Sequence, residues 1–178
     1  DGIGDLNGLI SKLDYLKNLG ITGIWLSPLH PSPSYHKYDV VDYYNIDKEY
    51  GTLSDFKRLI SEAQLRNIRV LLDLVINHTS EFHPWFLEAQ TSKDSPYRNY
   101  YVWRDSKKLK DKSNWHFPKH VPSKQIETEM YYGLFWSGMP DLNFDSKELR
   151  IKLLAIAKYW LIDMGVDGFR LDAAQHIY

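Results

Sequence analysis

Leu6, Leu9, Ile10, Leu13, Leu16 and Leu19 recur in steps of three and four, the spacing that lays an apolar stripe along one face of a helix. That helix is predicted to begin near Asp5 and to stop at Gly20, with ITGIWL at 21–26 following as a strand. A second helix, with Ser54 as its N-cap, carries Phe56, Leu59, Ile60 and Ala63 on one face. It gives way to an apolar strand from Ile68 that runs through VLLDLVINH at 70–78. A third helix, from about Ser146 to Met164, shows Leu149, Leu153, Ala157, Trp160 and Leu161 as its stripe and ends at Gly165, before a strand containing Val166, Phe169 and Leu171. Each helix closes with Gly or Asn just ahead of the next strand, as short return loops require. The alternation predicts an α/β fold of parallel strands with helical crossovers.

An open doubly wound sheet satisfies that alternation, and Gly2 and Gly4 in the opening DGIGDLNG resemble the start of a dinucleotide loop. A third glycine at the required spacing is absent and no strand precedes the loop. Two strands that end in polar groups, Asn77 and His78 in one and Asp172 in the other, instead suggest the rim of a barrel. Between the second and third units lies an insert of roughly 65 residues, longer than compact domains leave without a subdomain or a function. The expected organisation is a first barrel part at 1–78, an inserted domain at 79–143 and a continued barrel at 144–178.

With 43% hydrophobic residues and a net charge of −1, the 178-residue chain can bury a core and has no electrostatic bias toward nucleic acid or anionic membranes. No stretch approaches a transmembrane length. Having no cysteine, it holds no disulfide and no thiolate metal site, which leaves the compartment open. A chain that opens at Asp1 without methionine is read as lacking its start, so nothing follows about a signal peptide. Aromatic residues make up 15% of the chain, and many fall between 82 and 136, as in Tyr97, Tyr100, Tyr101 and Trp103 or Tyr131, Tyr132, Phe135 and Trp136. Either these rings form the small core of the insert, or they offer flat faces to the CH-rich faces of sugars.

Arg170 and Asp172 are two positions apart in the last strand, so they project to the same side. A carboxylate placed there is costly unless paired. An adjacent guanidinium would keep it ionised, as a carboxylate nucleophile requires; a structural ion pair explains the same spacing. In the opening loop, Asp1, Ile3 and Asp5 alternate as oxygen donors for a hard cation such as calcium, or belong to a solvated, acidic helix start.

Five segments, in order, carry a family resemblance. DGIGDL, HKYDVVDYYNI at 36–46, DLVINH at 73–78, MPDLN at 139–143 and GFRLDAAQH at 168–176 resemble motifs of the α-amylase superfamily of retaining glycosidases, along the whole chain. The resemblance implies a partial TIM-type (β/α)8 barrel, with strands two to four and their helices, and a small domain inserted after strand three. It implies Asp172 as the nucleophile and Arg170 as the group that orients it. His78 would hydrogen-bond the sugar at the cleavage subsite, Tyr38 would stack on it, Asp39 would bind its outer hydroxyls, and Gln175 would face the leaving-group side. Calcium is implied at Asp1, Ile3 and Asp5, with Asn77, Asp141 and the His176 carbonyl as a second candidate set.

A retaining glycosidase needs a second carboxyl group about 5–5.5 Å from the nucleophile. In the family this glutamate follows strand five, whereas Glu62, Glu81, Glu88, Glu127, Glu129 and Glu148 all lie on predicted helices or in the insert. The chain is therefore expected to be half an enzyme, inactive alone. MPDLN, with NHTSEFHPWF at 77–86 and YYGLFWSGMPDLN at 131–143, looks most like bacterial α-amylases of the intermediate group. That implies hydrolysis of α-1,4 bonds in starch-type glucans or maltooligosaccharides by a monomer, with calcium as cofactor. An oligo-1,6-glucosidase or α-glucosidase shares the architecture, and a non-catalytic heavy-chain-like relative keeps the barrel without the full site. A polymer-degrading enzyme would be expected outside the cell, an α-glucosidase in the cytoplasm.

Overall fold

The computed structural model describes residues 4–119 and 128–177. Helix α1, Leu6–Asn18, is capped by Asp5, whose carboxylate accepts from the Gly8 amide at 2.6 Å. Its exit runs through Gly20 at φ +83°, with the Ile21 amide returning to the Leu16 carbonyl. Ile21 and Thr22 therefore belong to the helix exit, and strand β1 is Gly23–Leu26 rather than 21–26. Helix α2, Leu53–Leu65, starts two residues earlier than expected: Thr52, not Ser54, is the N-cap. Its hydroxyl accepts from the Asp55 amide at 3.1 Å while the Asp55 carboxylate accepts from the Thr52 amide at 3.0 Å, a reciprocal capping box.

Strand β2, Arg69–Leu74, is followed by the insert, in which helix α3, Pro84–Ala89, precedes strands β3, Trp103–Asp105, β4, Trp115–His116, and β5, Glu129–Tyr132. Helix α4, Lys147–Lys158, is capped by Ser146 and continues as a π turn over Tyr159–Asp163. Its buried face is Leu149, Leu153, Ile156, Trp160 and Met164. Leu161, one position beyond Trp160, is turned outward and is 41% exposed, so the predicted stripe ends at Trp160. Strand β6 is Gly168–Leu171.

The strands form two three-stranded sheets. One is parallel in the order β1-β2-β6; the other is antiparallel in the order β3-β5-β4. The core lies between the parallel sheet and its helices, where Phe56, Leu59, Val70, Leu72 and Trp160 are buried. Trp160 donates through Nε1 to the Tyr43 carbonyl at 2.7 Å, fixing the long loop after β1 against the last helix. The insert is tied to the end of β2 by single bridges, His78 to Asp141 and Tyr101 to Leu142. No described helix is long and apolar enough to cross a membrane.

Candidate active site at the ends of the parallel strands

Asp73 and Arg170 are direct partners in the β2–β6 register, so the pleat sends both side chains to one side. Arg170 Nη1 donates to both Asp73 oxygens at 3.2 and 3.0 Å, to Asp172 Oδ1 at 2.6 Å and to the Tyr38 hydroxyl at 3.5 Å. Tyr38 in turn donates to Asp73 Oδ2 at 3.3 Å. The guanidinium also lies over the Trp25 and Tyr38 rings, 5.2 and 5.9 Å from their centroids. Burial pulls the Arg170 pKa down, but hydrogen bonds and charge from Asp172 and Asp73 outweigh it and raise it overall.

Asp73 is the functional neighbour that sequence reasoning passed over. It is wholly buried, whereas the Asp172 side chain keeps 15% exposure, so the carboxylate enclosed by the sheet is Asp73 and Asp172 stands at the rim. Burial pushes the Asp73 carboxyl upward, partly offset by Arg170. The available signal was a lone charge inside VLLDLV, which has to find a partner across the fold.

Strand β6 ends at Leu171 and the Asp172 amide makes one last bond, to the Leu74 carbonyl at 3.3 Å. Ala173 then takes a left-handed conformation, φ 50° and ψ 29°, which costs a non-glycine residue about 1–2 kcal/mol. A 3-10 turn over Ala174–His176 follows. This sharp exit leaves Asp172, Gln175 and His176 on one wall of a cavity of about 580 Å³, faced by Tyr38, His78 and Arg170.

His78 is buried, and burial pushes its imidazole down to about 4 against the opposing pull of Asp172. The ring is therefore neutral at neutral pH. Asn77 Nδ2 donates to His78 Nδ1 at 3.3 Å, which leaves the proton on Nε2. That nitrogen has no hydrogen-bond partner among the described residues. Gln175 Nε2 lies 3.0 Å from His176 Nε2.

Asp39 is placed differently from its expected companions. It is buried, accepts from the Ser32 hydroxyl at 2.6 Å and from the Ser34 hydroxyl, and lines a smaller adjoining cavity of about 160 Å³. The loop carrying Tyr38 and Asp39 is held from behind by Lys37, a buried cation 2.9 Å from Asp47 and 2.8 Å from Glu49.

The insert's aromatic residues divide into two sets. Phe86 packs edge-on against Tyr101 and Tyr131 and stacks with Trp103, while Tyr97 and Tyr100 pack on each other and on Trp85. These rings are the insert's core. Phe135 and Trp136 are about half exposed and line the large cavity, with Phe135 edge-on to His78 at 5.2 Å.

Among the described residues, no three His, Cys, Asp or Glu side chains converge as a metal-binding set. Asp1 and Ile3 lie outside the described residues, as does Glu127. Asp5 spends Oδ1 on the helix cap. Asp141 accepts from the Leu134 amide at 3.0 Å and from Asn77 at 3.4 Å, and burial raises its carboxyl to about 6.

Residues 1–178 match the family model described as alpha amylase, catalytic domain. The chain belongs to the α-amylase family. It is 55% identical to alpha-amylase 3 of Dictyoglomus thermophilum, an alignment covering 100% of this chain and 34% of that protein. It is 45% identical to the oligo-1,6-glucosidase of Parageobacillus thermoglucosidasius, covering 99% of this chain and 32% of the relative. Among solved structures, the alpha-amylase from H. orenii superposes with a TM-score of 0.85 at 54% identity, covering 100% of this chain and 38% of that one. The chain thus spans about a third of the length of the curated relatives it matches. The parallel sheet and its helices are part of the TIM-type barrel of this family of glycoside hydrolases.

Proposed function

We propose that this chain supplies the nucleophile and the main sugar-binding wall of a retaining glycoside hydrolase that cleaves α-1,4 bonds in starch-type glucans and maltooligosaccharides. The observation that carries the reading is Arg170 Nη1 shared between the enclosed Asp73 and the rim carboxylate Asp172. It holds Asp172 Oδ1 and leaves Oδ2, to which no described residue donates, to attack the anomeric carbon. A bond then forms from the carboxylate to that carbon as the glycosidic C–O bond breaks, and the departing oxygen takes a proton from the second carboxyl group. Water reverses the sequence with that group as base, giving net retention. No glutamate among the described residues lines the cavity, and in this reading the acid/base is a carboxyl group outside the described residues.

In this reading Tyr38 stacks on the reacting sugar, and the free Nε2–H of neutral His78 donates to one of its hydroxyls. Asp39, with Oδ2 free among the described residues, accepts from hydroxyls on the outer side, and Gln175 faces the leaving group. Calcium belongs to the proposal as a structural ion. Asp5 retains Oδ2 after capping α1, and with Asp1 and the Ile3 carbonyl it would supply three of the six to eight oxygens that calcium takes, the rest coming from further groups. The protein is proposed to act as a monomer.

In the full-length protein Asp172→Asn is expected to lower turnover by several orders of magnitude with folding intact, and His78→Ala to be milder. Near-full activity of the Asn variant on amylose, with deamidation excluded, would refute the nucleophile assignment. The 45% identity to an oligo-1,6-glucosidase favours one competing specificity. Early products on amylose and on isomaltooligosaccharides separate the readings: mixed maltooligosaccharides from amylose support internal α-1,4 cleavage, glucose alone from amylose supports an α-glucosidase, and glucose from isomaltooligosaccharides with amylose untouched supports an oligo-1,6-glucosidase. A full-length protein with no turnover on either substrate class would be the non-catalytic relative.

A further inference from the structure

After Leu74 the chain leaves β2 through a short bend, Val75 to His78, in which the Val75 carbonyl receives no bond from the His78 amide. Tyr43, reaching in from the loop after β1, supplies the donor instead. Its hydroxyl lies 2.8 Å from the Val75 carbonyl and 3.2 Å from the His78 carbonyl. A phenol has one hydrogen, so the two carbonyls share it, the nearer taking the larger part. Burial pushes the Tyr43 phenol upward, so it keeps that proton. Among the described residues nothing else donates to either carbonyl. On the other side of the bend, the Leu142 amide donates to the Asn77 carbonyl at 2.8 Å and the Thr79 amide to the Pro140 carbonyl at 3.1 Å. His78 is thus clamped between the insert and Tyr43, with its imidazole facing the large cavity.

The hydroxyl is itself firmly aimed. The Tyr43 residue is 1% exposed, and its ring packs against His83, Trp85 and His30 at 5.6, 6.0 and 5.9 Å between centroids. Its carbonyl accepts from Trp160 Nε1 at 2.7 Å, and His30 Nδ1 donates to the Asn45 carbonyl at 3.1 Å, two residues further on. A ring enclosed in this way has no room to swing. Phenylalanine would fill the same volume, so packing explains the ring and only the two carbonyls explain the hydroxyl. Those carbonyls belong to the bend whose last residue carries a side chain of the site. A group that touches substrate loses up to about a hundredfold in rate when misplaced by about 1 Å.

We propose that Tyr43 is a positioning residue of the hydrolytic site: by bridging the Val75 and His78 carbonyls, its hydroxyl sets where the His78 imidazole meets the reacting sugar. This deepens the hydrolase reading above and rests on it, because the contact between His78 and the sugar belongs to that reading. Tyr43 touches no substrate and acts through His78.

The test is a double-substitution cycle in the full-length protein, with kcat and KM measured per folded enzyme on whichever of amylose and isomaltooligosaccharides the wild type turns over. Tyr43→Phe is expected to lower kcat/KM about tenfold. In a His78→Ala background the same substitution is expected to change kcat/KM by less than about twofold, because the group it positions is gone. Leu13→Ala, a truncation in the buried face of α1, is expected to lower the thermal midpoint and leave kcat/KM unchanged. Equal losses from Tyr43→Phe in both backgrounds would make Tyr43 a general structural residue and overturn the proposal. If Tyr43→Phe does not fold, Trp160→Phe, which removes the donor to the Tyr43 carbonyl and keeps the hydroxyl, goes through the same cycle and decides. The two levels separate cleanly. A loss in His78→Ala with none in Tyr43→Phe overturns the positioning role alone; a His78→Ala variant with wild-type kcat/KM overturns the His78 assignment and the proposal with it; and a wild type that turns over neither substrate overturns the hydrolase reading itself.

Discussion

Lys37 combines two energetically costly features, and replacing it separates them. Its side chain is 6% exposed, its Nζ sits 2.9 Å from Asp47 and 2.8 Å from Glu49, and its backbone is left-handed at φ 63°. Removing one member of a buried pair costs about 3–5 kcal/mol, because the remaining charge is left without compensation. The lower end applies here, since Asp47 keeps the Glu49 and Ser32 amides at 3.0 and 3.4 Å and Glu49 is 47% exposed and can rehydrate. Lys37→Ala is therefore expected to lose about 3 kcal/mol. Lys37→Gly loses the same pair but relieves the left-handed backbone, so it should be more stable than the alanine variant by about 1 kcal/mol.

The pH dependence of the pair carries its own sign. Burial raises the Asp47 carboxyl, but the Glu49 amide and Lys37 outweigh it and hold it below 3.8; burial lowers the Lys37 ammonium, but Glu49 and Asp47 outweigh it and hold it above 10.5. The depressed acid contributes stability above its unfolded value and loses it as pH falls through the folded one. The raised base contributes below its unfolded value and loses it as pH rises through the folded one. Between roughly pH 5 and 9 the gap between wild type and Lys37→Ala should stay constant. Equilibrium denaturant unfolding of the full-length protein, read at several pH values in that window, measures it. A glycine variant no more stable than the alanine variant would remove the strain argument, and a loss under about 0.5 kcal/mol in Lys37→Ala would remove the ion-pair argument.

His30, His78 and His83 are all pushed down to about 4 by burial, so the unfolded chain takes up protons first and stability should fall as pH drops from about 6.5 toward 4. His83→Asn, which keeps an acceptor for the Trp85 amide that His83 Nδ1 now caps, should flatten the decline in thermal midpoint; a midpoint constant between pH 6.5 and 5 would contradict the linkage. Excess chelator should lower the thermal midpoint of the full-length protein if calcium sits at Asp1, Ile3 and Asp5, since an ion held only by the folded state adds stability by mass action. An unchanged midpoint with metal analysis showing no retained calcium would mean that Asp5 is a helix cap and nothing more.

The helices were legible because their apolar stripes repeat within a few turns and their stops are local. Gly20 and Gly165, both at positive φ, mark two of those ends in sequence. The N-cap of α2 was equally local and was misplaced by preferring Ser54: Thr52 has an acid three residues on, Asp55, and Ser54 has Lys57, so the capping-box spacing favoured Thr52. The partition of the aromatic residues was not legible in this way. Tyr131 is fully buried and Phe135, four residues later, is 49% exposed; which ring faces Phe86 and which faces a cavity depends on how β5 pairs and where the chain turns at Gly133 and Gly138.

The Arg170 site shows why the rest required the fold. Arg170 and Asp172 are close in sequence, and their contact at 2.6 Å follows from strand geometry alone. What makes that contact directional is Asp73, 97 residues away, which meets Arg170 only because β2 and β6 pair in parallel with Asp73 opposite Arg170. A slip of one residue in that pairing would turn Asp73 to the opposite face of the sheet, leaving a carboxylate among the helices and Arg170 with only its rim partner. An ion pair with one enclosed member, Asp73, and one partner open to solvent, Arg170, is weak as a source of net stability. Here it penalises the wrong register heavily, so the alignment of the two strands and the aim of Arg170 at Asp172 are set by one interaction.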